Sequence, residues 1–291
     1  MMWELFQLIM LYSLIFGSIY LLISLGFSLI CGVLRIFHLG YGLHFLLTVY
    51  LTWMFMKELQ LGLIPSITLM VITQLLIAIA MYLGIFRKFV EEEEKLMTLS
   101  LLVFLIFENL FNYLYPITAG VNIPVTIMKG VINIGAATIS SQMVVAALVG
   151  LATTCLLTIF FLRTRTGLIM RAISQNLVAS MLMGVNINIV YCLAIILSVI
   201  PTIICMLMIS PFWGIEPSMG TPLLSIAIVI SILGGLGNLK GSIIASFLIG
   251  AVHSLVSFTL NPRFMMLAGL LLAIIILTFK SEGLCGAERL W

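Results

Sequence analysis

Long apolar segments, separated by short polar ones, run along the whole chain of 291 residues. Segments 5–31, 63–86 and 143–162 each reach about the 20 mostly apolar residues that a helix needs to cross a bilayer. They lack the alternating pattern of a membrane β-barrel, so helices are the structure that satisfies their backbone groups in lipid. The pattern predicts an all-α polytopic bundle of about nine transmembrane helices. The predicted crossings are 5–31, 38–56, 63–86, 97–115, 143–162, 189–210, 222–236, 242–259 and 264–279.

Composition supports this class. Hydrophobic residues make up 63% of the chain and charged residues 8%, whereas soluble domains carry roughly 25% charged residues. We therefore treat residues 1–291 as one domain surrounded by membrane lipid. The five cysteines form no CxxC pair, and we expect no metal site. The net charge of +3 is too small to suggest a nucleic-acid partner.

The positions of lysine and arginine predict the orientation. If the loop 87–95 is cytoplasmic, ten of the 13 basic residues lie inside and three outside, as the positive-inside rule requires. This predicts a multi-pass inner-membrane protein with its N-terminus outside and its C-terminus in the cytoplasm. The ten inner residues are Arg35, Arg87, Lys88, Lys95, Arg163, Arg165, Arg171, Lys240, Lys280 and Arg289.

Two loops are longer than a connection requires. The extracytoplasmic loop 116–142 mixes Pro, Gly, Asn and β-branched residues, which predicts an ordered, hairpin-like cap. The cytoplasmic segment 163–188 begins basic, continues as an amphipathic helix and ends with Gly184 placed as a C-cap. Its neutral polar residues favour docking on a cytoplasmic protein over lying on lipid, where Lys and Arg are preferred. The lipid alternative stays open.

Five stretches resemble, in order, the permease subunits of branched-chain amino acid ABC transporters. The first is TRTGLIMRAISQNLVASMLMGVN (164–186), which is similar to the cytoplasmic coupling segment of that family. The others are LIFGSIYLLISLGFSLICGVLRI (14–36), SLLVFLIFENL (100–110), SILGGLGNLKGSIIASFLIG (231–250) and FKSEGLCG (279–286). Together they extend the resemblance over essentially the whole chain.

The resemblance implies the permease subunit of an importer for a small polar or amphipathic solute. The solute is most often leucine, isoleucine or valine, and some relatives are similar to urea or short-amide permeases. The implied partners are a homologous second permease, two ATP-binding cassette ATPases and an extracytoplasmic solute-binding protein. The residues that it implies for coupling to the ATPases are Arg165, Gly167, Arg171, Gln175 and Gly184.

No catalytic residues are predicted. The chain has no GxxxxGK[ST] loop to hold ATP phosphates. We therefore expect a transporter subunit, not an enzyme, with no cofactor of its own and with ATP used by partner subunits. The alternative is a self-sufficient secondary transporter or channel, for which Glu108 is the one visible ion-coupling candidate.

Interrupted hydrophobic stretches and an intramembrane acid indicate the translocation pathway. The glycines of LGGLGNLKG predict a backbone break, and residues 38–42 form a second interruption; such pairs point to transport sites. The alternatives without a role in transport are a glycine turn or close helix packing for the glycines, and a structural acid for Glu108. Where the family commonly has Asn and His, this chain has His38 and Tyr41, which leaves the solute open. The predicted pathway residues are His38, Tyr41, Gly42, Glu108, Asn109, Gly234, Gly235, Gly237 and Asn238.

Overall fold

The structure, a computed structural model, describes residues 2–90, 92–115, 120–134 and 137–286. These residues are mostly helical, which confirms the all-α polytopic fold class. The helices are α1 (Met2–Leu34), α2 (Tyr41–Lys57), α3 (Leu63–Met81), α4 (Arg87–Phe89), α5 (Glu93–Leu114), α6 (Ser141–Arg163), α7 (Arg165–Gln175), α8 (Leu177–Leu182), α9 (Ile187–Ile209), α10 (Gly220–Gly234), α11 (Leu239–Thr259) and α12 (Met265–Phe279). A π-helix, Tyr82–Phe86, joins α3 to α4, and short 3-10 turns precede α10 and α12.

Eight of the described helical segments are long and apolar enough to cross a membrane. They contain α1, α3 with α4, α5, α6, α9, α10, α11 and α12. The sequence predicted about nine crossings, and the ninth, segment 38–56, is one residue shorter than the shortest of these eight segments. It forms α2, which has 17 residues and begins at Tyr41 because residues 35–40 are not helical. Most of α2 is buried on all sides, as expected for a helix that is apolar all round.

Helix α1 is the centre of the bundle. Its 33 residues extend about 50 Å, and it packs against α6, α9, α10 and α11. Small residues bring the backbones of α1 and α11 together. A Cβ atom added to Gly250 lies 2.5 Å from the backbone nitrogen of Gly17. This is the small-residue packing that membrane helices use, since lipid supplies no hydrophobic force between them.

One end of the bundle gathers the end of α1, the α10–α11 connection and the C-terminal tail. A Cβ atom added to Gly237 lies 2.5 Å from Cα of Gly32. The backbone N–H of Leu284 donates to the carbonyl of Leu233 at 2.8 Å. Arg35, directly after α1, donates hydrogen bonds to the end of α7. The segment 163–188 and the glycine-rich connection therefore share one end of the molecule.

The opposite end carries the predicted hairpin-like cap. Strand β1 (Val131–Ile134) pairs antiparallel with β2 (Ala137–Ser140). The amide of Gln142 donates to the carbonyl of Met208 near the end of α9, which ties the cap to the bundle. Helix α6 begins at Ser141, so the last residues of the loop 116–142 are helical. Residues 116–119 and 135–136 of the loop lie outside the described residues.

The segment 163–188 is two helices, α7 and α8, instead of the one that the sequence predicted. Asn176 separates them with φ −149°, and its side chain accepts a hydrogen bond from the backbone N–H of Ala179 at 2.9 Å. Asparagine is a poor residue inside a helix and a good N-cap, which accounts for the break. Gly184 has φ +79°, the left-handed C-cap geometry that the sequence predicted.

The contact between α1 and α11 gives a test. Gly250→Ala places a methyl group against the backbone of Gly17, which cannot move aside, so we expect at least the roughly 1–3 kcal/mol that overpacking costs. The thermal aggregation midpoint of the purified protein in detergent should fall. Gly84→Ala is the matched control, because a Cβ atom there meets nothing within 4 Å. Equal midpoints for the two variants would show that this packing is not close.

Candidate functional site

The carboxylate of Glu108 is held at the start of α10. The Oγ1 hydroxyl of Thr221 donates to Oε2 of Glu108 at 3.1 Å and to Oε1 at 3.4 Å. Thr221 lies in the first turn of α10, where the helix dipole stabilises negative charge. Glu108 is six residues from the end of α5, about 9 Å along the helix axis. It is partly exposed on a helix that is long and apolar enough to cross a membrane, and a charge is costly in hydrocarbon.

Further polar side chains surround this pair on the same surface. Asn109 and Asn112 of α5 are exposed. The Asn109 amide donates to the carbonyl of Leu105 in its own helix at 2.8 Å. We call Glu108, Asn109, Asn112 and Thr221 the polar patch. Lipid cannot satisfy these groups, so the patch requires water or protein in front of it.

The starts of α2 and α10 meet one helical turn from Glu108. The ring of Phe104 lies between them: a Cβ atom added to Gly42 is 3.0 Å from this ring, and one added to Gly220 is 2.7 Å from it. The carbonyl of Gly220 is 3.2 Å from the same Gly42 Cβ position. Two glycines thus let two helix starts approach a single aromatic ring. Of the predicted pathway residues, Gly42 and Glu108 lie near each other here, because Gly42 packs on Phe104, one helical turn before Glu108.

His38 and Tyr41 lie in the interior of the subunit. His38 is 1% exposed, and its ring is edge-on to Phe86 at 4.7 Å between centroids. Neither ring nitrogen of His38 has a hydrogen-bond partner among the described residues. The Tyr41 hydroxyl accepts a hydrogen bond from Thr202 at 2.9 Å and donates one to the carbonyl of Ile23 at 3.2 Å. Their role in the pathway stays a prediction.

The backbone breaks at the glycine-rich stretch, as the sequence predicted. Helix α10 ends at Gly234, and Gly235 and Gly237 have φ +101° and +75°, values that favour glycine. The Asn238 side chain accepts a hydrogen bond from the backbone N–H of Gly241 at 3.0 Å and so caps α11.

This break lies far from Glu108. Gly234 and Thr221 are at opposite ends of α10, about 20 Å apart along its axis. A Cβ atom added to Gly234 lies 2.5 Å from the carbonyl carbon of Gly241, so the two chain segments touch. The structure does not bring the break together with the polar patch, and its role in the pathway also stays a prediction.

Four of the five predicted coupling residues lie in α7, and the fifth, Gly184, lies just after α8. A Cβ atom added to Gly167 lies 2.6 Å from Cα of Phe161, so glycine lets α7 fold directly back on α6. Arg165, Gln175 and Gly184 are exposed. Arg171 is partly buried.

Large apolar side chains are exposed on α8 and directly after it. Leu182 is 84% exposed and Met183 85% exposed, and Val178 and Met181 are also exposed. This surface combines apolar contact area with neutral amides. Such a composition fits a protein partner better than the cationic face of a helix that lies on lipid.

Sequence reasoning missed three residues of the site and one contact. Gly220, Thr221 and Phe104 were not among the predicted residues, although the Gly-Thr-Pro sequence at 220–222 is a helix-start signal. Arg35 was counted as a charge that sets the orientation, and its hydrogen bonds to α7 were not foreseen. No group of three or more His, Cys, Asp or Glu in the part of the chain that the structure describes could hold a metal ion.

Comparison with known proteins identifies the family. Residues 9–277 match the sequence model of a family described as the permease component of branched-chain amino acid transport systems. The chain belongs to this family. As a member, it is a transporter subunit and a multi-pass membrane protein, of a family that works with ATPases and a binding protein.

Relatives from three organisms extend this result. The high-affinity branched-chain amino acid permease LivH of Salmonella typhimurium is 25% identical over 285 residues, covering 93% of this chain and 92% of its own length. LivH of Escherichia coli has the same identity and coverage. BraD of Pseudomonas aeruginosa is 24% identical over 131 residues, or 45% of this chain.

A solved structure shares the fold. This is a chain of PsaBC from Streptococcus pneumoniae in complex with Fab, with a TM-score of 0.57 and 13% identity. The match covers 99% of this permease chain and 98% of that chain. The common fold therefore extends over the whole transmembrane bundle.

The pairing of Glu108 with Thr221 gives a second test. Glu108→Gln keeps the shape and removes the charge. If the charge shapes the pathway, uptake by the assembled complex should fall about tenfold, the loss expected from a charged hydrogen bond. Uptake should be measured at about pH 5.5 and about pH 8, on either side of neutrality.

Thr221→Val removes the donor to Glu108. This change should also lower uptake, but by less than Glu108→Gln does. Thr98→Val is the control, because the Thr98 hydroxyl donates only within α5, to the carbonyl of Glu94. If the Glu108→Gln complex takes up solute as the wild type does at both pH values, the charge of Glu108 has no role in transport and Glu108 is a structural acid.

Proposed function

We propose that this chain is the permease subunit of an importer that carries branched-chain amino acids across the inner membrane. It pairs with a homologous second permease, receives solute from an extracytoplasmic binding protein and is driven by two ATP-binding cassette ATPases. The solute class rests on the relatives, since LivH and BraD are both named for high-affinity branched-chain amino acid transport. Urea and short amides are the other solutes to test.

The observation that carries the proposal is the exposed polar patch on the apolar helices α5 and α10. Glu108, Asn109, Asn112 and Thr221 lie on the outside of the isolated subunit, where lipid gives their polar groups no partner. A second permease placed against this face encloses the patch. The pathway then runs between the two permeases, and each subunit contributes a few polar groups to apolar walls. Such a lining suits an amphipathic solute.

The energy for transport enters through α7 and α8. In this proposal the exposed surface around Leu182 and Met183 docks on an ATPase, and the predicted coupling residues Arg165 and Gln175 lie beside it. ATP is bound and hydrolysed by the partner subunits, and this chain needs no cofactor of its own.

The orientation completes the proposal: the N-terminus is outside and the C-terminus is cytoplasmic. The grouping of chain segments supports it. Arg35, the segment 163–188 and the C-terminal tail gather at one end of the bundle, and the β-hairpin lies at the other. In this orientation the end with α7 is the cytoplasmic one, and the hairpin faces the binding protein.

The alternative, a self-sufficient secondary transporter or channel, is less well supported. It would couple transport to an ion through Glu108, which here bonds a threonine of its own subunit. Membership of a family of transport-system permeases favours the ATP-driven importer.

Reconstitution tests the proposal directly. Proteoliposomes that contain this chain, its second permease and the ATPases should take up labelled leucine when binding protein and ATP are both present. Unlabelled isoleucine and valine should compete, whereas urea and acetamide should not. ATP-independent uptake by this chain alone would favour the secondary transporter, and competition by urea would change the solute class.

Cysteine cross-linking tests the docking surface. In a background that lacks the exposed Cys155, a cysteine at the exposed position of Ala179 should cross-link to an ATPase subunit. It should also resist impermeant thiol reagents added to intact cells. A cysteine at Ser174, which is 1% exposed, is the matched control and should form no cross-link. Labelling of the Ala179→Cys protein from outside would reverse the orientation.

A further inference from the structure

Arg35 joins the end of α1 to the end of α7. Its Nη2 donates to the backbone carbonyl of Ser174 at 2.5 Å and to that of Gln175 at 3.2 Å. Both carbonyls belong to the last turn of α7. The carbonyls at the end of a helix are the ones that need partners from outside its own hydrogen-bond ladder. A cation at this position also interacts favourably with the negative end of the helix dipole. Arg35 therefore acts as a C-cap that comes from another part of the chain.

The segment 35–40 carries two local costs. Arg35 has φ +59°, a left-handed conformation that is unfavourable for a residue with a Cβ atom. His38 is buried, and neither of its ring nitrogens has a partner among the described residues. Such costs persist where the surroundings hold a segment in place, and they are frequent at switch regions. The contacts of Arg35 with α7 are part of what holds this segment.

The far end of the same segment reaches the starts of α2 and α10. A Cβ atom added to Gly40 lies 2.9 Å from Cε of Met81 and 2.9 Å from the carbonyl of Ser100, so the chain is packed against α3 and α5. Two residues later, Gly42 touches the ring of Phe104 and the backbone of Gly220. Gly42, which makes this contact beside the polar patch, is only seven positions along the chain from Arg35.

A cavity beside Arg35 gives α7 and α8 room to move. It measures about 320 Å³, and its lining includes Arg35, Glu93, Ile173, Leu177 and Tyr191. These residues belong to the segment after α1 and to α5, α7, α8 and α9. The coupling segment is thus not packed against the bundle along its whole inner face.

We propose that Arg35 is a positioning residue that transmits movement of α7 to the starts of α2 and α10. Displacement of α7 by an ATPase pulls on the two carbonyls that Arg35 binds. The segment 35–40 then shifts and changes the contact of Gly42 with Phe104 and Gly220. The inference rests on the proposed function, since it assumes that an ATPase moves α7.

The experiment measures coupling in the reconstituted complex with its binding protein. Arg35→Met keeps the side-chain length and removes the donors. We expect the amount of solute transported per ATP hydrolysed to fall about tenfold, the loss expected for a charged hydrogen bond, with basal ATP hydrolysis unchanged. Arg35→Lys keeps one charged donor group and should recover part of the ratio. Arg87→Met removes a cation from the same end of the bundle and should leave the ratio unchanged.

The outcomes separate this inference from the proposed function. A wild-type complex without solute-dependent ATP hydrolysis or uptake overturns the proposed function itself. If the wild-type complex takes up solute with ATP and the Arg35→Met complex transports the same amount of solute per ATP hydrolysed, the inference alone is overturned. If neither Arg35→Met nor Arg35→Lys assembles, Arg35 is a folding requirement and the inference is wrong.

Discussion

Hydrocarbon offers no hydrogen-bond partner, and the bundle meets this constraint within its own backbone and side chains. Hydroxyl groups in the helices bond carbonyls of the preceding turn, as Thr48 does to His44 at 2.8 Å. At three helix starts an asparagine side chain accepts a hydrogen bond from the first turn. Asn176, Asn186 and Asn238 do this for α8, α9 and α11, and Thr164 does it for α7. The chain can therefore interrupt its helices at these places and still cap the first turn that follows.

The same constraint makes the exceptions informative. In the polar patch, Glu108 and Asn109 face outward from α5, where the isolated subunit provides few partners. The buried ring of His38 is an exception of the opposite kind, since it is enclosed by protein and its nitrogens have no hydrogen-bond partner in the part of the chain that the structure describes. In the proposed function, a second subunit or water in the pathway resolves the first exception. The second lies in the irregular segment 35–40.

Apolar runs and glycines predicted most of the fold because they act locally. The runs located the membrane helices, and the glycines of 234–241 located the break, since positive φ values require glycine there. Features that depend on distant residues were missed. Amphipathic spacing continues across Asn176, so the sequence suggested a single helix. In the structure α7 ends there, and the Asn176 side chain caps a second helix, α8. Likewise Thr221 follows Glu108 by 113 residues, and no local pattern links them.

Two connections run from the polar patch to the end of the bundle where α7 lies, and they differ in stiffness. Helix α10 is a rod of 15 residues, about 22 Å long, and its glycine end is fixed by α1 and by the hydrogen bond from Leu284. The segment 35–42 is short and irregular, and Arg35 attaches it to α7. A rod fixed at one end cannot follow α7, whereas an irregular segment can change its dihedral angles. When an ATPase moves α7, as we propose, the relative movement of α7 and α10 therefore falls on residues 35–40. This part of the chain carries an arginine with φ +59° and a buried histidine whose ring nitrogens have no hydrogen-bond partner among the described residues.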